Sequence, residues 1–357
     1  MRKVLLLGGT GAMGMHLVDI LSKSEDLTCV VTTRKHRKGF KNVSYVEGNA
    51  HNEDFLKTLF TQKWDAIVDF MSYSTKEFMS KAEGFLTSTD HYIFLSSARV
   101  YAKSDAPITE DSPRLLDVCK DPTYLQTDEY ALTKARQENC LREIGKNFTI
   151  IRPYITFSEN RLQLGTQEKE QWLYRALHGR TIVFSEDISK KKTTLTYGYD
   201  VAQGIASILW QQNAMGEAFH ITADESFQWK EILEKYVEVL KGEKGINTKC
   251  HISEKWEPFH GGSFAQANYD RMYDRLFDNK KINEFLKGYK YSPVLATLGK
   301  CLKEFLNDPH FLYKKWENEA MKDKLTGELA TYSEIEGFKQ KIKYSLYRTG
   351  LLNNIKK

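Results

Sequence analysis

Three observations predict an α/β protein built on a doubly wound parallel sheet, with a smaller mixed lobe toward the C-terminus. A short apolar run near the start, Val4-Leu5-Leu6-Leu7, passes directly into glycines at every third place, Gly8, Gly11 and Gly14. Strand-like and helix-like patterns then alternate as far as Ser97, as parallel strands joined by crossover helices require. With 357 residues and 41% hydrophobic content, the chain can bury the core such a sheet needs.

The run Val4 to Leu7 has the length and apolar character of a central parallel strand, and His16-Leu17-Val18-Asp19-Ile20-Leu21 continues at helical spacing. Between them, Gly8 permits a tight turn, Gly11 lets the backbone approach a pyrophosphate, and Gly14 lets the new helix pack closely. Free N–H groups at a helix start face negative charge, so Gly8, Thr10, Gly11, Ala12, Met13 and Gly14 are read as a dinucleotide phosphate site rather than an ordinary turn. Leu27 to Thr33 is a second strand. An NAD site usually places an acid after it; here Thr32 and Thr33 lead into Arg34-Lys35-His36-Arg37-Lys38, which suits the 2′-phosphate of NADP. A solvated basic loop is the plainer alternative, and NAD stays open.

Val43 to Gly48 reads as a third strand, with Asn49 where such folds often contact adenine, and Asp54 to Phe60 has helical spacing. Trp64 to Met71 is a fourth strand, Lys76 to Leu86 a helix, and Tyr92 to Ser97 a fifth strand. Ligands of doubly wound sheets bind at the carboxyl ends of the strands, which places Ser96 and Ser97 near the chemistry.

Gly-Gly-Thr-Gly-Ala-Met-Gly, Ser96-Ser97-Ala98-Arg99-Val100-Tyr101 and Tyr130-Ala131-Leu132-Thr133-Lys134 together resemble an extended short-chain dehydrogenase/reductase of the NAD-dependent epimerase/dehydratase family. Ile150-Ile151-Arg152-Pro153, Tyr199-Asp200-Val201-Ala202, Phe219-His220-Ile221-Thr222 and Phe277-Asp278-Asn279-Lys280-Lys281 with Ser292-Pro293 follow in the family's order, so the resemblance runs to about residue 305. It implies a Rossmann dinucleotide-binding part over 1–155 that also receives later strands and a substrate lobe over 156–310; the segment 311–357, outside the resemblance, is expected to be a helical extension.

A tyrosine one helical turn before a lysine shares its face, and the lysine's positive charge favours an ionised phenol. The resemblance implies Tyr130 as the acid/base, Lys134 as its support and a nicotinamide-ribose ligand, Ser97 as hydrogen-bond partner of the reacting oxygen, and Pro153 beside the cofactor. Register picks Ser97, three residues before Val100; Ser96 is expected to be a backbone-bonded neighbour. The long interval to Tyr130, with Pro107, Pro113 and Pro122, is expected to be an irregular surface insertion, with Asp111-Ser112-Pro113 and Asp128-Glu129 capping turns and a helix start. Related 4,6-dehydratases carry Asp-Glu after the active hydroxyl; here Ala98 and Arg99 stand there, which disfavours dehydration and leaves epimerisation or ketone reduction.

Beyond residue 155, Gln171 to Leu177 reads as an amphipathic helix. Arg161 and Arg271 are the candidates for a substrate diphosphate, Arg271 being preferred to Arg275, while His251 and His260 are read as structural. The tail, including Tyr313-Lys314-Lys315-Trp316 and Lys339-Gln340-Lys341-Ile342-Lys343-Tyr344, is expected to form amphipathic helices over the core or a sister subunit, with a membrane surface or another partner as the alternative.

Charge and cysteine usage bound the function. The 52 basic and 47 acidic residues give a net charge of +5, which fits a small anionic ligand better than nucleic acid. Five scattered cysteines, Cys29, Cys119, Cys140, Cys250 and Cys301, suggest neither disulfides nor a metal site and point to a reducing cytoplasm. Met1-Arg2-Lys3 and the following apolar run stop at the glycine turn, unlike a signal peptide, and no stretch has the apolar length of a membrane span. The expected function is NAD(P)-dependent oxidoreduction or epimerisation of a nucleotide sugar, with a homodimer allowed. An NADPH-dependent reductase of a keto sugar or other carbonyl compound is the alternative, and a non-catalytic nucleic-acid-binding or cofactor-sensing relative is the alternative of another class.

Overall fold

A computed structural model describes residues 1–312 and 314–351. The chain divides into two compact units, the first made of Met1–Ser158, Thr194–Ser226 and Arg275–Val294, the second of Glu159–Thr193, Phe227–Asp274 and the described residues from Leu295 onward.

The first unit carries β1 (Arg2–Leu7), α1 (Gly14–Leu21), β2 (Leu27–Thr33), β3 (Val43–Glu47), α2 (Glu53–Leu59), β4 (Ala66–Asp69), α3 (Thr75–Thr87) and β5 (Tyr92–Leu95). The short helices α4 (Leu115–Val118) and α5 (Pro122–Leu125) come next, then α6 (Tyr130–Ile144) and β6 (Phe148–Pro153). The strand Ala218–Ile221 returns to complete a seven-stranded sheet in which it stands at one edge, followed by β6, β5, β4, β1, β2 and β3. Every pairing in that sheet is parallel, as the doubly wound reading expects.

The continuous apolar strands follow from burial on both faces. Val4 and Leu6 point into one core with Leu17, Val18 and Val201, while Leu5 and Leu7 point into another with Phe78, Phe85 and Phe94. Order reversal between β1 and β4 opens the place where such sheets bind ligands.

Three expectations need correction. The fourth strand stops at Asp69, and Ser97 lies beyond β5 rather than on it, because the backbone turns at Ser96, whose N–H closes back on the Phe94 carbonyl at 3.1 Å. The interval between Ser97 and Tyr130 is not wholly irregular: it contains α4 and α5, buries Leu115 and Tyr124, and sends Arg114 to Glu138 inside the unit.

In the second unit, the strands Ile182–Ser185 and Cys250–Ser253 pair in parallel, and Trp172 of the helix Lys169–Leu177 stacks on Tyr236 of the helix Trp229–Lys244 at 4.2 Å. The tail forms the helices Trp316–Thr326 and Phe338–Thr349, with Tyr313 and 352–357 outside the described residues. These helices cover the unit through buried ion pairs. Asp323 accepts from Arg175 at 2.6 Å and Arg180 at 3.1 Å, and from the Tyr344 hydroxyl at 2.6 Å. No helix among the described residues is long and apolar enough to cross a membrane.

Candidate active site

The glycine turn begins where β1 ends. Gly8 adopts φ +71°, a conformation that favours glycine, and its N–H donates to the Thr32 hydroxyl at 2.9 Å. Gly14 is required by closeness, since a Cβ there would meet three backbone atoms of Gly9 at 2.6 Å; the helix start therefore packs on the turn itself. Gly11 differs in kind, for a Cβ there would meet nothing within 4 Å. That bare backbone at the head of α1 is suited to a ligand's close approach. Met13 caps α1, and the Ala12 carbonyl lies so near Gly198 that a Cβ on Gly198 would stand 2.2 Å from it.

A cavity of about 320 Å³ opens beside this turn. Gly8, Thr10 and Gly11 form one wall, Thr32, Thr33 and Arg34 another, and Gly48, Asn49, Ala50 and His51 a third, with Met71 beneath. The lining has no carboxylate to receive a ribose 2′-hydroxyl, and Arg34 is its arginine. Thr33 turns inward, donating to the Lys35 carbonyl at 2.9 Å, so the basic loop leaves the strand in a fixed direction.

Ser97 is buried at the head of a single 3₁₀ turn, Ala98–Val100, where its Oγ accepts the Arg99 N–H at 3.2 Å. Tyr130 is the first residue of α6 and is 40% exposed, while Lys134, one turn later, is buried. Glu129 caps the helix by accepting the Ala131 N–H at 2.8 Å, as expected of the Asp128-Glu129 pair, and also binds Arg99 at 2.6 Å. That holds the Arg99 guanidinium 5.4 Å from the centre of the Tyr130 ring. One side chain thus links the Ser97 turn to the Tyr130 phenol, and sequence reasoning had noted Arg99 only as a departure from an acid pair.

Lys134 donates to the Leu95 carbonyl at 2.8 Å and to the Met71 carbonyl at 3.4 Å, over the Phe94 ring at 4.6 Å. Burial pulls its pKa down to about 8, opposed by Asp69 and then Glu138. Ser96 departs from expectation: its hydroxyl donates at 2.6 Å to Glu138, which also receives Arg152 at 2.7 Å and Arg114 at 3.1 Å. Burial opposes the Glu138 charge, yet Arg152, Ser96 and Arg114 hold its carboxyl below the usual value. Glu138 repeats the face of Tyr130 and Lys134 another turn along, a spacing that could have marked it in the sequence.

Pro153 ends β6 within the first unit, paired with Ile221. Arg161 and Arg271 belong to the second unit. Arg161 is half-buried, whereas Arg271 is buried and committed: its Nε donates to the Gly165 carbonyl at 3.0 Å, Asp270 pairs with it, and Trp229 lies 5.9 Å below. Arg275, the residue passed over, lies in the first unit and donates to the Ala102 carbonyl at 2.9 Å. His260 is held from both ring nitrogens, Nδ1 lying 2.9 Å from the Glu257 nitrogen and 3.0 Å from its carbonyl oxygen and Nε2 2.7 Å from Ser253 Oγ.

No family model matches the chain. It is 24% identical over 239 residues to the chloroplast stem-loop binding protein of 41 kDa b of Arabidopsis thaliana, covering 63% of this chain and 59% of that protein. It is 22% identical over 255 residues to NADH dehydrogenase (ubiquinone) 1 alpha subcomplex subunit 9, mitochondrial, of Dictyostelium discoideum, covering 65% and 62% respectively. The chain thus spans about three fifths of the length of the curated relatives it matches.

Among solved structures, the enzyme WbmH of Bordetella bronchiseptica in complex with NAD+ superposes with a TM-score of 0.65 at 17% identity, over 87% of this chain and 100% of that one. The dTDP-glucose 4,6-dehydratase of Bacillus anthracis in complex with NAD gives 0.64 at 14%, over 86% and 97%. UDP-glucuronic acid 4-epimerase of Bacillus cereus, in complex with UDP-glucuronic acid and NAD, gives 0.62 at 17%, over 87% and 100%. With its parallel sheet, glycine turn and Tyr130-to-Lys134 helix, the chain has the fold of the extended short-chain dehydrogenases/reductases, that of the NAD-binding epimerases and dehydratases.

Proposed function

We propose that the protein is an NAD(P)-dependent enzyme of the extended short-chain dehydrogenase type that epimerises a nucleotide sugar. The observation that carries the reading is one compact unit holding both an open glycine turn beside a cavity and Tyr130 with Lys134 on a helix tied through Arg99 to Ser97.

The bare backbone at Gly11 fits a pyrophosphate, and the N-terminus of α1 would hold it with Thr10, Ala12 and Met13. Arg34 would take the 2′-phosphate of NADP, Lys134 the nicotinamide ribose, and Pro153 would border the ring. A bound nicotinamide supplies the hydride acceptor and donor. Tyr130 Oη, as a phenolate, removes the proton from a substrate hydroxyl, keeps it as a neutral phenol and then returns it; Ser97 Oγ hydrogen-bonds the same oxygen, and Lys134 balances the phenolate charge that Tyr130 carries before the first transfer and after the second. Arg161 and Arg271 are our candidates for the nucleotide diphosphate, and for Arg271 this role requires the ligand to displace Asp270. The widely spaced cysteines support a cytoplasmic setting.

The test is to identify nucleotides released from purified, denatured protein and to incubate the native protein with UDP-glucuronic acid, UDP-glucose and GDP-mannose, with and without added NAD(P). Retained dinucleotide with product formation supports epimerisation. Turnover that requires stoichiometric NADPH and a keto substrate marks the reductase alternative instead. A second reading, nucleic-acid binding, draws support from the exposed cations Arg34, Lys35, Arg37, Lys38 and Lys41 and from the stem-loop binding named for the Arabidopsis relative. It requires salt-sensitive binding of a stem-loop RNA that survives Tyr130→Phe.

A further inference from the structure

The last residue of β4 is a carboxylate with no part in the chemistry above. Asp69 is fully buried at the end of the apolar strand Ala66–Asp69, where an unpartnered charge would be costly. The Tyr92 hydroxyl donates to one oxygen at 2.7 Å and the Met71 N–H to the other at 2.9 Å. The carbonyl of the same residue, Met71, receives Lys134 at 3.4 Å. Met71 is therefore held at its N–H by Asp69 and at its C=O by Lys134. Its side chain runs to the glycine turn, with the sulfur 2.8 Å from where a Cβ on Gly8 would stand.

The other partners of Lys134, the Leu95 carbonyl and the Phe94 ring, are neutral. Two carboxylates face its ammonium, Asp69 from β4 and Glu138 from α6. Glu138 is already committed to Arg152, Arg114 and Ser96. On the far side, Asp69 is faced by Tyr92 and Tyr73, with Cys140 beyond the first and Glu77 beyond the second. Asp69 is thus the carboxylate whose charge remains for Lys134.

We propose that Asp69 is a positioning residue of this site: its carboxylate keeps the buried Lys134 protonated and fixes Met71 between that lysine and the glycine turn. The importance of this for cofactor holding rests on the function proposed above, whereas the coupling of the two charges does not. Burial pushes the Asp69 carboxyl up to about 6, against Tyr92, Met71 and Lys134, and pulls Lys134 down to about 8. Each charge therefore offsets part of the burial penalty on the other. Removing the Asp69 charge takes away the first support of the ammonium, so Lys134 must then lose its proton at lower pH.

The variant is Asp69→Asn, which keeps the shape and an acceptor oxygen. The full-length protein is labelled with carbon-13 at the lysine ε-carbon, the resonance missing from Lys134→Met identifies Lys134, and its shift is followed with pH in the absence of any ligand. The midpoint should lie near about 8 in the unmodified protein and about one pH unit or more lower in Asp69→Asn. Equal midpoints overturn the proposal. NADH binding over the same range should fail at lower pH in Asp69→Asn and return on acidification; a uniform loss at every pH with an unmoved Lys134 midpoint shows a merely structural role and also overturns it. If neither NADH nor NADPH binds the unmodified protein, the cofactor reading fails while the lysine midpoint still decides the coupling. If Asp69→Asn does not fold, the coupling is read from the other side: in Lys134→Met the Asp69 carboxyl must titrate above its unmodified midpoint, and an unchanged midpoint overturns the proposal.

Discussion

Replacing Gly11 with alanine should separate folding from binding, and replacing Gly14 should not. No atom lies within 4 Å of a Cβ on Gly11, so Gly11→Ala meets no clash in the folded chain. Restricting the unfolded chain should leave stability unchanged or raise it by about 0.4–1 kcal/mol. The added methyl does occupy the space through which a pyrophosphate would approach the backbone. If the misfit costs the ligand about 1–3 kcal/mol, as overpacking does, affinity for NADH or NADPH falls roughly fivefold to 150-fold. At Gly14 the new methyl would stand 2.6 Å from backbone atoms of Gly9, which cannot rotate aside as a side chain can. Gly14→Ala should therefore lose about 1–3 kcal/mol of stability as well as the ligand. Urea unfolding gives the first quantity and fluorescence titration with each dinucleotide gives the second. Unaltered binding by Gly11→Ala, or an equal loss of stability in the two variants, would refute the assignment of the turn.

Arg34→Asp should narrow or reverse a preference for NADPH over NADH in paired titrations, and an unmodified protein that binds NADH as tightly as NADPH counts against the 2′-phosphate role. Because Ala98 and Arg99 stand where a dehydratase carries its acid pair, incubation with dTDP-glucose or GDP-mannose should give no 4-keto-6-deoxy sugar; its detection by mass spectrometry would show that other groups supply the acid and base. Asp323→Ala removes the carboxylate that Arg175, Arg180 and Tyr344 share, leaving Arg175 to Glu319 and Glu328 and Arg180 to Glu334, and should cost about 1.5–3 kcal/mol in urea unfolding. A loss below about 1 kcal/mol, the scale of a surface ion pair, would mean that the cluster is solvated.

What the sequence made legible, and what it hid, follows from the range of the interactions involved. Strands buried on both faces read as unbroken apolar runs, so Val4 to Leu7 of β1 and the whole of β5 could be found directly. The same rule overextended β4, since Phe70 and Met71 continue its apolar pattern while the strand ends at Asp69, whose carboxylate takes the Met71 N–H. Helices α4 and α5 are each four residues long, too short to show a helical period. Glu129 was legible as a cap because capping is local. The partners of Asp69, Glu138 and Arg271 were not, because Tyr92, Arg152 and Gly165 are brought near by other parts of the chain. The tail was expected as amphipathic helices over the core or a sister subunit, but not that Lys322 would be buried in the second unit, donating to the Gln171 carbonyl at 2.9 Å.

The central claim is that Tyr130 moves the proton at the reacting oxygen, and Tyr130→Phe tests it most directly because only a hydroxyl is removed. Measured on whichever nucleotide sugar the unmodified protein converts, with dinucleotide affinity determined on the same preparation, turnover should fall by roughly 10²–10⁴-fold while dinucleotide affinity is preserved. Lys134→Ala, measured alongside, should lose both. Turnover of Tyr130→Phe at the unmodified rate would contradict the mechanism whatever the fold.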